Sequence, residues 1–195
     1  IYTLSLHDAL PILRNKMKKV EHGKTFDRNA ANPPAFEIFH NTVTEGYPKH
    51  WHTAIEIIMP TRGEYEVVVG KDSYNLKEGD IIMINSGVVH GMRFVSQGER
   101  IVMLVEPGCV ENQEEMETIF LRLPAIYFKK EDEEDPFYLF LRSQILELVR
   151  EYDNEGAVMT HRICTGLKEL FSEFGRKGFS DANAQNTFGA MKQQD

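Results

Sequence analysis

The stretch from His50 to Met92, HWHTAIEIIMPTRGEYEVVVGKDSYNLKEGDIIMINSGVVHGM, carries the strongest fold signal in the chain. Short runs of β-branched, aliphatic and aromatic residues alternate there with glycine-containing turns, a spacing typical of an all-β domain. Extended outward, the pattern predicts seven strands: Phe36–Thr44, Ala54–Pro60, Glu64–Val69, Asp72–Leu76, Ile81–Ile84, Gly91–Val95 and Arg100–Val105. The runs IEIIM and DIIMIN are apolar almost throughout, so we expect a closed or double-sheet antiparallel barrel that covers both faces of those strands.

Three histidines and one glutamate form the densest set of chemically active residues in this stretch: His50, His52, Glu56 and His90. Residues two apart on a strand point to the same face, so the first three are predicted to line one barrel wall. If a neighbouring strand supplies His90, three imidazoles and a carboxylate converge, which suits a divalent Fe, Mn, Zn or Ni ion. The same set can instead hydrogen-bond a polar ligand. Unconnected histidines at a barrel rim remain the third interpretation.

The neighbouring residues give weaker signals. Trp51 has the opposite parity to the two flanking histidines and is expected to face away from them. Four apolar residues are expected inside the barrel, as ordinary core or as lining of a ligand site: Ile58, Val67, Met83 and Met92. Cys109 and Cys164 lack a CxxC partner, so we expect two inert thiols and a reducing compartment.

The hydrophobic period changes from two to about 3.6 after the charged run Lys129–Asp135. Asp135 can cap a helix that begins at Pro136, and the apolar stripe of that helix runs from Phe137 to Tyr152. A second stripe runs from Met159 to Phe174. These stripes offer more apolar surface than a small barrel requires, so the helices are expected either to dock on the barrel or to self-associate.

Composition limits the function classes. The 195 residues include 22 Lys and Arg against 30 Asp and Glu, for a net charge of −8. Such an acidic chain lacks the basic excess of a nucleic-acid-binding surface. No apolar run approaches the roughly 20 residues that span a bilayer, so we expect no membrane anchor. With only two cysteines there is no disulfide framework, so we expect a cytoplasmic protein.

The sequence resembles the cupin superfamily. The first cupin motif is represented by Gly46, His50, His52, Glu56 and Gly63, although three residues rather than five separate its first glycine from the first histidine. The second motif is represented by Gly79, Gly87 and His90, with Asn85 in place of a proline and Phe94 in place of an asparagine. The resemblance implies a double-stranded β-helix, or jelly-roll, barrel in which His50, His52, Glu56 and His90 occupy all four metal-ligand positions.

Residues 50–92 and the helix pair that follows them resemble the N-terminal sensing and dimerisation domain of AraC-type transcription regulators. That resemblance implies a small-molecule effector bound at His50, His52, Glu56 and His90, where metal is not required. It also implies a homodimer formed through residues 135–175 and DNA contacts made by a C-terminal helix-turn-helix domain. The alternative is a metal-dependent cupin enzyme of the dioxygenase or isomerase type, for which the sequence offers only Tyr65 and Glu66 as further acid–base candidates.

The predicted organisation has six parts. Residues 1–16 are expected to be an artefact, because IYTLSLHDALPI resembles a translated sequencing-library adapter, with Met17 as a plausible native start. We expect an N-terminal arm at 17–34, a barrel at 35–108, a connecting segment at 109–134 and helices at 135–178. Residues 179–195 are interpreted as a linker, so that the chain is a fragment ending before its DNA-binding domain.

Overall fold

The computed structural model of the protein describes residues 35–42, 46–109, 124–132, 135–154 and 156–177. The described residues form nine strands: β1 Phe36–Asn41, β2 Tyr47–His50, β3 Ile55–Arg62, β4 Tyr65–Val69, β5 Asp72–Leu76, β6 Ile81–Ile84, β7 His90–Phe94, β8 Glu99–Val105 and β9 Ala125–Phe128. Helix α1 spans Pro136–Asp153 and helix α2 spans Met159–Lys177. Neither helix is long and apolar enough to cross a membrane.

The strands form two antiparallel sheets. The five-stranded sheet has the order β1-β8-β3-β6-β9, and the four-stranded sheet has the order β2-β7-β4-β5. Their inward faces share one apolar cluster, in which Ile58 and Ile82 of the larger sheet meet Val67 and Met92 of the smaller one. The domain is therefore a cupin-type barrel followed by a helix pair, as the sequence predicts.

The outward face of the five-stranded sheet is covered by the two helices. Ile57 of β3, Met83 of β6 and Met103 of β8 belong to one core cluster with Leu141 of α1 and Phe171 of α2. Strands β3 and β6 are therefore buried on both faces, which explains why β6 is apolar throughout and β3 is largely so. The apolar stripes of α1 and α2 dock on the barrel, one of the two outcomes expected from their amphipathicity.

Three details differ from the sequence predictions. Met83 packs against the helices and not inside the barrel, because odd-numbered residues of β6 face outward. Strand β2 lies in a segment that was not predicted to be a strand, and its residues are mostly exposed, so it lacks an apolar pattern. Strand β9 was likewise not predicted, since only four residues carry its signal, and it pairs with β6 at the sheet edge. The arm and linker predictions, for 17–34 and 179–195, lie outside the described residues.

Candidate functional site

His50 and His90 lie side by side because β2 and β7 are neighbours. The two residues are direct partners in the antiparallel register of these strands. Their ring centroids are 4.4 Å apart with the ring planes inclined by 61°. Both imidazoles therefore come from the four-stranded sheet, at the end of β2 and the start of β7.

His52 and Glu56 reach the same place from a different direction. His52 lies in the segment that connects β2 to β3, and Glu56 is the second residue of β3 in the five-stranded sheet. The prediction that His50, His52 and Glu56 line one barrel wall is thus wrong. The chain leaves the four-stranded sheet after His50 and enters the five-stranded sheet at β3. The Gly87 N–H donates to the His52 carbonyl at 2.9 Å and connects this crossing to the turn before His90. Gly87 has φ +73°, a conformation that glycine adopts without steric cost.

The four side chains form a compact, largely buried cluster. Their candidate ligand atoms all lie within 4.8 Å of one another. His52 Nε2 lies 3.3 Å from Glu56 Oε2, and His90 Nε2 lies 2.7 Å from the same oxygen. His52, Glu56 and His90 are buried, whereas His50 is half-buried and forms the side of the cluster nearest to solvent.

Backbone carbonyls fix the orientation of all three imidazoles. His50 Nδ1 lies 2.9 Å from the Pro48 oxygen, His52 Nδ1 2.9 Å from the Ala54 oxygen and His90 Nδ1 2.8 Å from the Val88 oxygen. A carbonyl oxygen can only accept, so each Nδ1 carries the proton and donates it. In the neutral rings, every Nε2 is therefore left as a lone-pair donor. This outer-shell arrangement is the one that orients histidine ligands in metal sites.

The contacts with Glu56 require a proton or a cation between the facing acceptor atoms. A neutral Nε2 and a carboxylate oxygen are both acceptors, so a separation of 2.7 Å needs a proton or a cation. Burial alone would raise the pKa of Glu56, but His52 and His90 hold it well below its usual range. Burial alone would lower the pKa of His90, but Glu56 and the Val88 carbonyl raise it. Burial, with the neighbouring His90, lowers the pKa of His50.

This donor set fits a divalent metal ion. Three imidazole nitrogens and one carboxylate suit Fe, Mn, Zn or Ni, and an ion would replace the proton that His90 and Glu56 share. The same groups can also bind a polar organic ligand, with His50 on the open side of the cluster. The sequence predicted all four residues and their convergence, whereas the orienting carbonyls are backbone atoms that leave no sequence signal.

A second buried polar group was not predicted. Arg100 of β8 is 1% exposed, and its guanidinium lies 4.8 Å from the centroid of the Tyr65 ring. Among the residues that the structure describes, its Nε and Nη1 have no hydrogen-bond partner. The alternation along β8 could have indicated this burial. Ile101 faces outward, so Arg100 lies on the opposite face together with Val102.

Trp51, expected to face away from the histidines, is 53% exposed.

Comparisons with known proteins agree with this fold. The family model of the cupin domain matches residues 41–106. Apo ToxT K231A from Vibrio cholerae strain SCE256 is similar over 84% of this chain and 60% of its own, with 14% identity and a TM-score of 0.50. The chain thus spans 60% of the length of that protein.

Two further structures show weaker similarity. The conserved SPY1581 protein of unknown function from Streptococcus pyogenes matches 47% of this chain and 95% of its own, with 17% identity and a TM-score of 0.36. A mutant of oxalate decarboxylase OxdC from Bacillus subtilis matches 36% of this chain and 20% of its own, with 18% identity and a TM-score of 0.33. No curated protein matches the sequence. The family model thus shows a cupin domain at residues 41–106.

Proposed function

We propose that this chain is the effector-sensing and dimerisation domain of an AraC-type transcription regulator. In this proposal His50, His52, Glu56 and His90 bind a small polar effector, and a homodimer forms through residues 135–175. DNA is contacted by a helix-turn-helix domain outside this sequence, in the cytoplasm. The acidic composition is compatible with a sensing domain that does not itself contact DNA, since a basic surface is expected on the helix-turn-helix domain.

The observation that carries the proposal is the double role of strand β3. Glu56 points into the candidate site, whereas its neighbours Ile55 and Ile57 pack into the core shared with the helices. One strand thus lies between the effector site and the helix pair. A ligand that shifts Glu56 by binding one arrangement more tightly would also shift the helix contacts, which is the physical requirement for a sensor.

The architecture supports the same proposal. The fold similarity to ToxT extends over 84% of the chain and so covers more than the barrel alone. The helix pair is packed on the outward face of the five-stranded sheet, where α1 and α2 bury Leu141, Ile145 and Phe171. A barrel and helices joined in this way can move as one sensing unit.

The test uses the full 195-residue chain and a panel of sugars, aromatic acids and divalent metals, each measured by thermal shift and titration calorimetry. The decisive variant is a double replacement, His50→Ala with His52→Ala. We expect it to lose effector binding while it keeps its circular dichroism spectrum and its oligomeric state. His161→Ala, an exposed histidine of α2, is the matched control. Effector affinity that survives the double replacement would exclude these residues as the binding site.

A metal-dependent cupin enzyme is the second candidate, because the three carbonyl-bound imidazoles leave three Nε2 atoms beside a carboxylate. His50, His52, Glu56 and His90 would hold the ion, which supplies Lewis-acid or oxygen-activating chemistry when bound. Elemental analysis and dioxygen consumption separate the candidates. About one metal ion per chain together with substrate turnover would favour the enzyme. A bound effector that is recovered unchanged would favour the sensor.

A further inference from the structure

The two cysteines of the chain lie next to each other although they are 55 residues apart in sequence. Cys109 ends a short 3₁₀ turn, Pro107–Cys109, that directly follows β8. Cys164 lies on the second turn of α2. Their sulfur atoms are 3.3 Å apart. The sequence indicated two unrelated inert thiols, because a spacing of 55 residues does not indicate that two cysteines are close in space.

Both residues are held in place by well-anchored backbone. The Cys109 N–H donates to the Glu106 carbonyl at 2.9 Å, and the Glu106 N–H donates to the Ala35 carbonyl at 2.9 Å. On the other side, Ile163 precedes Cys164 and is fully buried in the core between helices and barrel. The sulfur pair therefore lies at the edge of that core, where the barrel meets α2.

The geometry permits a covalent bond. A disulfide requires a sulfur separation of about 2.05 Å, so the two atoms need to approach by about 1.2 Å, a distance that side-chain rotation can supply. Both cysteines are partly exposed, so a small oxidant can reach them. Cys109 also packs against the apolar cluster, which keeps its side chain close to α2.

We propose that Cys109 and Cys164 are a reversible redox site that ties helix α2 to the end of strand β8. With hydrogen peroxide as oxidant, one thiol loses its proton and the thiolate attacks a peroxide oxygen. The O–O bond breaks, a sulfenic acid forms, and the departing hydroxide takes up the released proton as water. The second thiol then attacks the sulfenic sulfur, the S–S bond forms and a second water leaves. The two thiols lose two electrons and the peroxide gains them. A thiol reductant reverses the change by disulfide exchange.

The surroundings of the sulfur pair affect its reactivity. Burial and the adjacent Cys164 thiol raise the pKa of Cys109 to about 12, although Lys168 opposes the shift. The thiolate is the nucleophile in such reactions, so the reaction with peroxide should become faster as the pH rises. Either sulfur can be oxidised first, because the two atoms lie side by side and the other sulfur then resolves the sulfenic acid.

The experiment treats the full 195-residue chain with hydrogen peroxide, quenches it with an alkylating agent and determines the intact mass. We expect a loss of two hydrogens relative to the reduced protein, no alkylation, and a Cys109–Cys164 linked peptide after digestion. The midpoint of thermal unfolding should rise by about 5–10 °C, because the bond closes a long loop. Dithiothreitol should reverse both changes.

Single replacements provide the controls. Cys109→Ser should leave a sulfenic acid on Cys164 that dimedone traps, and Cys164→Ser should leave one on Cys109. Neither variant should gain thermal stability on oxidation. Quantitative alkylation of both thiols after peroxide treatment, or bonds formed only between chains, would overturn the proposal. The result is independent of effector binding, since it concerns atoms outside the histidine cluster.

Discussion

The Glu56 carboxylate balances the charge of a buried imidazole, so its removal should destabilise the protein in a pH-dependent way. We expect Glu56→Ala to lower the free energy of unfolding by about 1–3 kcal/mol near pH 6. The pKa of His90 is raised in the folded protein, so its stabilising interaction is complete below the unfolded value of about 6.5 and is lost as the pH rises through the folded value. Urea denaturation at pH 6 and above pH 8 measures the difference, which should shrink at the higher pH.

The matched control for Glu56 is Glu66, a partly exposed carboxylate on β4 that pairs with Arg93. Glu66→Ala should change the free energy of unfolding far less than Glu56→Ala at either pH. An equal loss for Glu56→Ala at both pH values would mean that His90 Nε2 carries no proton in the cluster.

Arg100 is a buried charge whose stabilising contacts are incomplete. Within the described part of the chain, two of its nitrogen atoms lack hydrogen-bond partners, so no described group compensates their desolvation. We expect Arg100→Met, which keeps much of the side-chain volume, to raise the free energy of unfolding by about 1–3 kcal/mol. Arg100→Lys keeps the charge and loses the planar contact with Tyr65, so it should not stabilise. Chemical denaturation of the three proteins at one pH is the measurement, and a destabilised Arg100→Met would contradict this account.

Helix α1 begins at a cap that the sequence predicted and the structure confirms. The Asp135 carboxylate accepts the Phe137 N–H at 2.8 Å and also binds Lys177 Nζ at 2.7 Å, so it joins the start of α1 to the end of α2. We expect Asp135→Ala to lower the free energy of unfolding by about 1 kcal/mol. Asp135→Asn keeps a capping oxygen and loses only an exposed ion pair, so its cost should stay below about 0.5 kcal/mol.

The same cap predicts a dependence on acid. Lys177 and the Phe137 N–H lower the pKa of Asp135 against the opposing effect of burial. Its contribution is therefore present above the unfolded pKa of about 3.9 and is lost as the pH falls through the folded value. Urea denaturation near pH 7 and again well below pH 3 should show the difference between wild type and Asp135→Ala disappearing. A difference that persists in strong acid would assign the effect to helix propensity.

Elements with a strong local signal were predictable, and elements that depend on distant partners were not. Strand β5 was predicted at its observed bounds, because glycine-containing turns precede and follow it and its sequence alternates. Strand β2 has exposed residues and exists because β7 pairs with it, which its own sequence does not encode. The same holds for the site. The four residues of the cluster were predictable from the sequence, whereas the crossing of the chain between the two sheets was not.

The molecule as a whole connects its site to its helices through shared apolar packing. Ile57 lies between Glu56 and the helix core, so a smaller side chain there should loosen that connection without touching the site. We expect Ile57→Val to cost about 0.5–1.5 kcal/mol of stability and to leave ligand affinity nearly unchanged. Hydrogen exchange should then show that the ligand protects α1 and α2 less than in wild type. If the ligand protected α1 and α2 equally in Ile57→Val and in wild type, β3 would not connect ligand binding to the helices.

Self-association has to use surface that docking on the barrel leaves open. The buried stripes of α1 and α2 are occupied by the five-stranded sheet, whereas Leu139 is 42% exposed and shares a face of α1 with the half-buried Leu146. We therefore expect the proposed homodimer to form through this outer face, so that Leu139→Lys yields a monomer in light scattering at micromolar concentration. Val95→Lys, at an exposed residue after β7, is the control and should remain dimeric. A monomeric wild type, or a Leu139→Lys variant that still dimerises, would remove α1 from the interface.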